Sequence, residues 1–249
     1  MPSVEVHYLR RIDRKELEGA VFITGYQGFG MVGYLASRHI AYELKLERIG
    51  FIKTRYMPET TFYNESRGVA YPFELYYGVI GDKKLLVLVN HATPHPRERT
   101  IYAEFIGRWL KENGVLKTIL IGGLDPAIRE KSDEKYRWIP LGDAGIKLDA
   151  PTLSDRYVIG PLALTMMFTH AYGIPGIVIL TYTELYRPDP RASAVAVEVI
   201  GKILEIEINT KKLIEEASII EALEKERERL AKTIEGEVGR DRHRYTMHV

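Results

Sequence analysis

Apolar residues in this chain fall into short β-branched or aromatic runs that alternate with stretches of helical periodicity. That alternation predicts an α/β fold built on a mixed, mostly parallel sheet. The runs place strands at Val4–Leu9, Ala20–Thr24, Ile49–Tyr56, Phe73–Ile80, Leu85–Asn90, Thr118–Ile121, Tyr157–Ile159 and Ile177–Thr181. Gly81-Asp-Lys-Lys84 between the fourth and fifth runs predicts a hairpin, which is why the sheet is mixed. Helical spacing covers Met31–Leu44, Glu98–Glu112, Pro161–Tyr172 and Pro190–Ile206, with a last helix from about Thr210. Asp189 before Pro190 reads as an N-cap, and Asn113-Gly114 as a helix end. Arg129–Lys135 and Ile139–Pro151 show no periodicity and read as surface loops over the sheet edge.

After Thr210 the chain becomes rich in Glu, Lys and Leu. Ile206, Leu213, Ile220 and Ile234 recur at multiples of seven, with Leu223 and Leu230 a turn further on, and Glu216 and Arg227 interrupting the rows. Such a broken stripe fits a helix packed on its own domain or on a neighbouring subunit better than a long coiled coil. The organisation expected is an α/β domain over 1–189, a C-terminal helical extension over 190–235 and a flexible tail over 236–249.

The stretch Val21-Phe-Ile-Thr-Gly25-Tyr-Gln-Gly28-Phe-Gly30-Met-Val-Gly33 reads as buried strand, glycine turn and helix start. Gly28-x-Gly30-x-x-Gly33 satisfies the dinucleotide-binding pattern, in which glycines let a pyrophosphate approach a helix N-terminus. The next strand, however, ends in Lys53, Thr54 and Arg55, with no carboxylate for a ribose hydroxyl. Two readings stay open: glycines that permit a sharp turn and close helix packing, or an anion or nucleotide site. Under the second, His91 and Asp125, both following strands, would supply acid/base chemistry together with His170. His91-Ala-Thr-Pro-His95 has two imidazoles, but Pro94 and Pro96 oppose the helical geometry a zinc pair needs, so no metal is expected. Neither a nucleophile elbow nor a phosphate-binding loop with Gly-Lys-Ser/Thr occurs.

Composition narrows these classes. The chain has 249 residues and a formal net charge of +1, so no overall field favours nucleic acid. It has no cysteine, which removes disulfides, thiolate catalysis and cysteine-ligated zinc. No apolar run approaches a membrane span and the start lacks a signal-peptide pattern, so a cytoplasmic protein without membrane contact is expected. Amides are confined to Asn64, Asn90, Asn113, Asn209 and Gln27 while charged residues abound, a composition typical of thermophiles. Sixteen tyrosines, several of them in expected loops (Tyr56, Tyr63, Tyr71, Tyr76, Tyr77, Tyr136, Tyr182, Tyr186), suit a protein-binding surface. The segment Arg55–Asn64, with Met57, Phe62 and Tyr63, is the candidate contact loop.

The order of the turn Gly28-Phe-Gly30-Met-Val-Gly33-Tyr-Leu-Ala, the hairpin, Ile119-Leu-Ile-Gly122-Gly123-Leu, the Gly160-Pro161 helix and Tyr186-Arg-Pro-Asp189-Pro190-Arg-Ala-Ser resembles the proteasome assembly chaperone family, in its archaeal members. The resemblance spans most of Gly19 to Glu224. It implies a three-layer α/β/α fold like that of purine nucleoside phosphorylase with the chemistry lost, and hence no cofactor. It also implies homo-oligomers that bind proteasome subunits or the core particle. Members acting on the core particle use a C-terminal hydrophobic-tyrosine-any-residue motif. Here the end is Met247-His248-Val249, with His248 in the tyrosine position and Tyr245 out of register. Imidazole is smaller and more polar than phenol and lacks its reach. Tyr245, Met247, His248 and Val249 therefore stand as protein-binding candidates of altered type, beside a nucleoside-binding enzyme as the competing reading.

Overall fold

The computed structural model describes residues 4 to 223. Its strands are β1 (Val4–Tyr8), β2 (Val21–Gly25), β3 (Glu47–Thr54), β4 (Tyr63–Asn64), β5 (Gly68–Val69), β6 (Phe73–Ile80), β7 (Lys83–Asn90), β8 (Lys117–Leu124), β9 (Tyr136–Leu141) and β10 (Gly176–Tyr182). Eight of them form one sheet in the order β1-β3-β6-β7-β2-β8-β10-β9, while β4 and β5 make a small separate hairpin. The interior strands β7, β2, β8 and β10 run parallel, and the pairings toward both edges are antiparallel.

Strands buried on both faces need near-continuous apolar runs, and β2, β7 and β10 have them over Val21–Ile23, Leu85–Val89 and Ile177–Leu180. Alternate side chains sort to opposite faces. Val21, Ile23, Val87, Ile119, Ile121, Ile177 and Ile179 pack against α2 (Val32–Glu43) and α5 (Pro190–Leu204). Phe22, Leu86, Leu88, Leu120, Val178 and Leu180 share the opposite core with Leu17 of α1 (Arg14–Leu17), with α3 (Arg99–Glu112) and with Leu162 of α4 (Gly160–Ala171). The last helix among the described residues, α6, covers 211–223 and buries Leu213 and Ala217. Helices thus lie on both faces of the sheet, giving three layers.

Two expected segments are corrected. Tyr157–Ile159 is not a strand: it has strand-like composition but no pairing partner among the described residues, and Tyr157 and Ile159 face solvent while Val158 packs on the core before Gly160, whose φ of +77° turns the chain into α4. Ile139–Leu141, the start of the second expected loop, instead ends β9, an edge strand antiparallel to β10 that tolerates Pro140 because an edge needs fewer backbone donors. The expected caps are present: the Asp189 carboxylate accepts from the Ala192 amide, and Asn113 ends α3 before Gly114 at φ +67°.

Because Leu120 is fully buried at the centre of the sheet, Leu120→Ala should lower the unfolding free energy by about 2–5 kcal/mol. Leu116→Ala, at a position 54% exposed, should change it by less than about 0.5 kcal/mol. Denaturant unfolding of both variants checks the pair.

Candidate functional site

The carboxyl ends of β2, β7, β8 and β10 bring together the glycine turn, His91 and Asp125, the place where open α/β sheets bind ligands. In the turn the chain folds onto itself. A Cβ at Gly33 would lie 2.4 Å from the Ile121 carbonyl oxygen, and one at Gly25 would lie 2.3 Å from the Gly33 Cα, so both glycines are required by backbone-to-backbone packing of α2 on β2 and β8. Gly30, at φ +58°, is covered by Thr183, whose hydroxyl a Cβ there would strike at 1.9 Å. The turn's amides point inward. Gly28 N donates to the Tyr26 carbonyl (2.9 Å), Gly30 N to Leu185 (3.5 Å), Met31 N to Gly28 (2.9 Å) and Tyr34 N to Tyr26 (3.2 Å). A phosphate-binding turn presents such donors outward. Gly28 differs, since a Cβ there would meet open space.

His91 belongs to a charged network. Its Nε2 lies 2.9 Å from Glu74 Oε2 and its Nδ1 lies 3.2 Å from the Tyr34 hydroxyl. Glu74, 1% exposed, also accepts from Arg48 Nη1 (2.6 Å), the Tyr76 hydroxyl (2.6 Å) and the Tyr71 amide (3.1 Å). Burial pushes the Glu74 carboxyl up, but the bonds from His91, Tyr76, Arg48 and the Tyr71 amide outweigh it and hold the group down at about 2. Arg48 reaches on to the carbonyls of Val69 (2.8 Å) and Arg67 (3.1 Å), tying down the segment that carries β4 and β5. The other root of that arm is held by buried Glu98, which accepts from the amides of Arg55 (2.8 Å) and Tyr56 (2.9 Å).

The arm presents Phe62 and Tyr63, 68% and 67% exposed, with Tyr56 and Val69 beside them. Met57 is placed otherwise: it is half-buried, packs on the core and lies next to the Thr54 hydroxyl, because the chain turns inward after Tyr56. Asp125 caps a short turn, accepting from the Ala127 amide at 2.8 Å. Two strand spacings separate the β7 and β8 ends, about 10 Å, so Asp125 and His91 do not form a pair. His170 lies at the far end of α4, toward the start of β10, and joins neither. His95 stacks on Tyr56 with centroids 4.8 Å apart. Among the described residues no cluster of three metal-ligating side chains occurs. Tyr76, Tyr77 and Tyr182 are core residues rather than loop contacts, whereas Tyr56, Tyr63 and Tyr186 are exposed. Tyr245, Met247, His248 and Val249 lie outside the described residues. Glu74, Glu98 and Thr183 carry no sequence signal of their roles; only the isolated acid within the apolar run Phe73–Ile80 marks Glu74 as unusual.

With this geometry in hand, the family model for the PAC2 family matches residues 22–228. The chain belongs to the PAC2 family. Among solved structures, it is similar to PbaA of Pyrococcus furiosus, an archaeal homolog of proteasome-assembly chaperone, at 25% identity over 99% of this chain and 100% of that one, with a TM-score of 0.76. PbaB of the same organism, an archaeal proteasome activator, shares the fold at 20% identity and a TM-score of 0.73, covering 92% and 100% of the two chains. The uncharacterized protein MJ1210 of Methanocaldococcus jannaschii is 27% identical over 81% of this chain and 80% of its own length. The PAC2 assignment agrees with the resemblance carried by the glycine turn, the hairpin and the Asp189-Pro190 helix.

Two predictions follow from this PAC2 turn and network. Gly33→Ala should destabilise by about 3 kcal/mol or more, because backbone on both sides blocks the new methyl, whereas Gly28→Ala should stay within about 1 kcal/mol of the parent; thermal unfolding distinguishes them. A carboxylate held below its ordinary 4.5 stabilises the fold fully above that value, and the contribution disappears as pH falls through about 2. Glu74→Gln should therefore cost about 3 kcal/mol at pH 7, and the gap to the parent should narrow steadily below about pH 4.5 in denaturant titrations.

Proposed function

We propose that this chain is a non-catalytic, self-associating adaptor that binds proteasome subunits or another large protein complex. One observation carries the reading: on the α2 and α5 side of the sheet, the switch point, where an enzyme of this architecture would hold its ligand, is filled by the chain's own Thr183, and the amides of Gly28, Gly30, Met31 and Tyr34 are bonded within the chain. His91 and Asp125 are occupied by internal partners. The full-length similarity to PbaA, described as an archaeal homolog of proteasome-assembly chaperone, supports the partner class. Self-association would add avidity to a small contact patch. The aromatic pair Phe62 and Tyr63 is the docking element, held out on an arm whose two roots are fixed by Arg48–Glu74 and Glu98. Preorganised aromatic side chains lose little entropy on binding and commonly dominate interface energy. Met57 supports the arm from below, and Tyr245, Met247, His248 and Val249 are proposed as a second contact. The working compartment proposed is the cytoplasm. Among the described residues no helix is long and apolar enough to cross a membrane.

Co-elution of the full chain with recombinant archaeal proteasome subunits and with the assembled core particle tests the proposal. The double variant Phe62→Ala/Tyr63→Ala should weaken association about tenfold or more with an unchanged melting temperature. Removal of 240–249 should weaken it further. Absence of association with every subunit, or turnover of a nucleoside by the intact chain, would overturn it.

A further inference from the structure

On the face of the sheet opposite α2, the glycine turn leaves a cleft of about 360 Å³ between the ends of β2 and β8 and the start of α4. Its walls are apolar: Tyr26, Phe29, Leu124 and Leu162 below, with Tyr157 and Ile159 on the rim. The two rim residues are 98% and 69% exposed, although they flank a cavity that would bury them well. Among the lining residues the only charged one is Arg99. Its Nε is fixed by a bond to the Pro94 carbonyl at 3.2 Å, and among the described residues no carboxylate lies within ion-pair distance of its guanidinium. Glu98, its neighbour in sequence, turns its carboxylate to the amides of Arg55 and Tyr56, and Asp125 at the end of β8 accepts from the amide of Ala127. The start of α4 faces the same cleft through Gly160, Pro161 and Leu162, and its N-cap, Ile159, supplies no side-chain bond to the first turn.

The geometry points to a binding site for the carboxy-terminal end of another polypeptide, one whose last residues are apolar and end in a free α-carboxylate. The charge fits this occupant. One guanidinium balances a single carboxylate by a bidentate pair, whereas a phosphate ester in an apolar cleft would need more than one cation. The walls fit as well, since terminal-carboxylate capture combines backbone or guanidinium donors with pockets for the last side chains. Gly28 leaves room at the mouth where a Cβ would meet nothing, so an extended backbone can pass close to the turn. Tyr157 then closes over the ligand as an aromatic lid of the kind common at peptide interfaces. This site is separate from the Phe62–Tyr63 arm, and neither depends on the other.

Fluorescence anisotropy of the full chain with a labelled hexapeptide ending in Phe-Leu-Val tests the assignment, using the free acid, the carboxy-terminal amide and octanoate as competitor. The acid should bind saturably, the amide at least about tenfold more weakly, and octanoate should compete at least about tenfold less well than the unlabelled acid. Arg99→Gln should bring acid and amide to the same affinity. Tyr157→Ala, a change at a fully exposed position that leaves the core untouched, should weaken both peptides by about threefold or more while preserving their ratio. No saturable binding of the acid to the parent chain would overturn the site. Equal affinity for acid and amide, an acid preference that survives Arg99→Gln, or octanoate binding in place of the peptide would do the same.

Discussion

Gly25 at the end of β2 and Gly33 in the first turn of α2 approach so closely that any side chain on either residue would meet main chain. This contact fixes the angle at which α2 leaves the sheet, and the rest of the carboxyl edge is arranged around it. Since α2 begins directly against β8, the turn before it must run over the ends of β8 and β10. There Gly30 sits on Thr183, and Gly123 beneath the Phe29 carbonyl. Asp189 completes the closure: its amide donates to the Gly30 carbonyl, one carboxylate oxygen accepts from Thr183 and Glu184, and the other caps α5 through Ala192. One residue therefore couples the start of α5 to the turn before α2, although 159 positions separate Asp189 from Gly30.

A second consequence concerns where free space remains. An open sheet with helices on both faces parts its carboxyl ends at the switch point, and something must occupy that gap. On the α2 and α5 side the chain fills the gap with Thr183 and Leu185. On the other side α4 begins only after the irregular segment that ends at Gly160, and the cavity persists between Gly122, Gly123 and Pro161. The glycines that close one face thus shape the open cleft on the other.

Much of this organisation is legible in the sequence, and the parts that are not share a cause. Strand periodicity located β1, β2, β3, β6, β7, β8 and β10 within a few residues because their patterns are local and strong. Tyr157–Ile159 misled because composition signals strand preference while pairing decides strand formation, and no strand among the described residues pairs with it. The edge strand β9 was missed for the converse reason: Pro140 and mixed polarity hide a segment that pairing with β10 rescues. The glycine motif announced a turn, but whether the turn faces a phosphate or a threonine depends on residue 183, which no local pattern connects to it. Glu74 is a similar case. An acid in a buried strand becomes favourable only through Arg48, His91 and Tyr76, drawn from β3, from the loop after β7 and from β6 itself.

That acid also explains how a strand core can hold an exposed aromatic pair in place. Phe62 and Tyr63 lie at the start of the small β4–β5 hairpin in the long connection between β3 and β6, and connections of such length ordinarily pay for fixed geometry with entropy. Here Arg48 is clamped on one side by Glu74 and bonds on the other to the carbonyls of Val69 and Arg67, so the arm's return limb is referenced to the sheet rather than to solvent. Glu98 does the same for the outgoing limb from the first turn of α3, which also carries Arg99. Arm and cleft are accordingly mounted on adjacent residues of one helix start. Glu98 turns its carboxylate to the arm's backbone while Arg99 lines the cavity, and the rigidity of the α3 N-terminus holds both surfaces in a fixed relation.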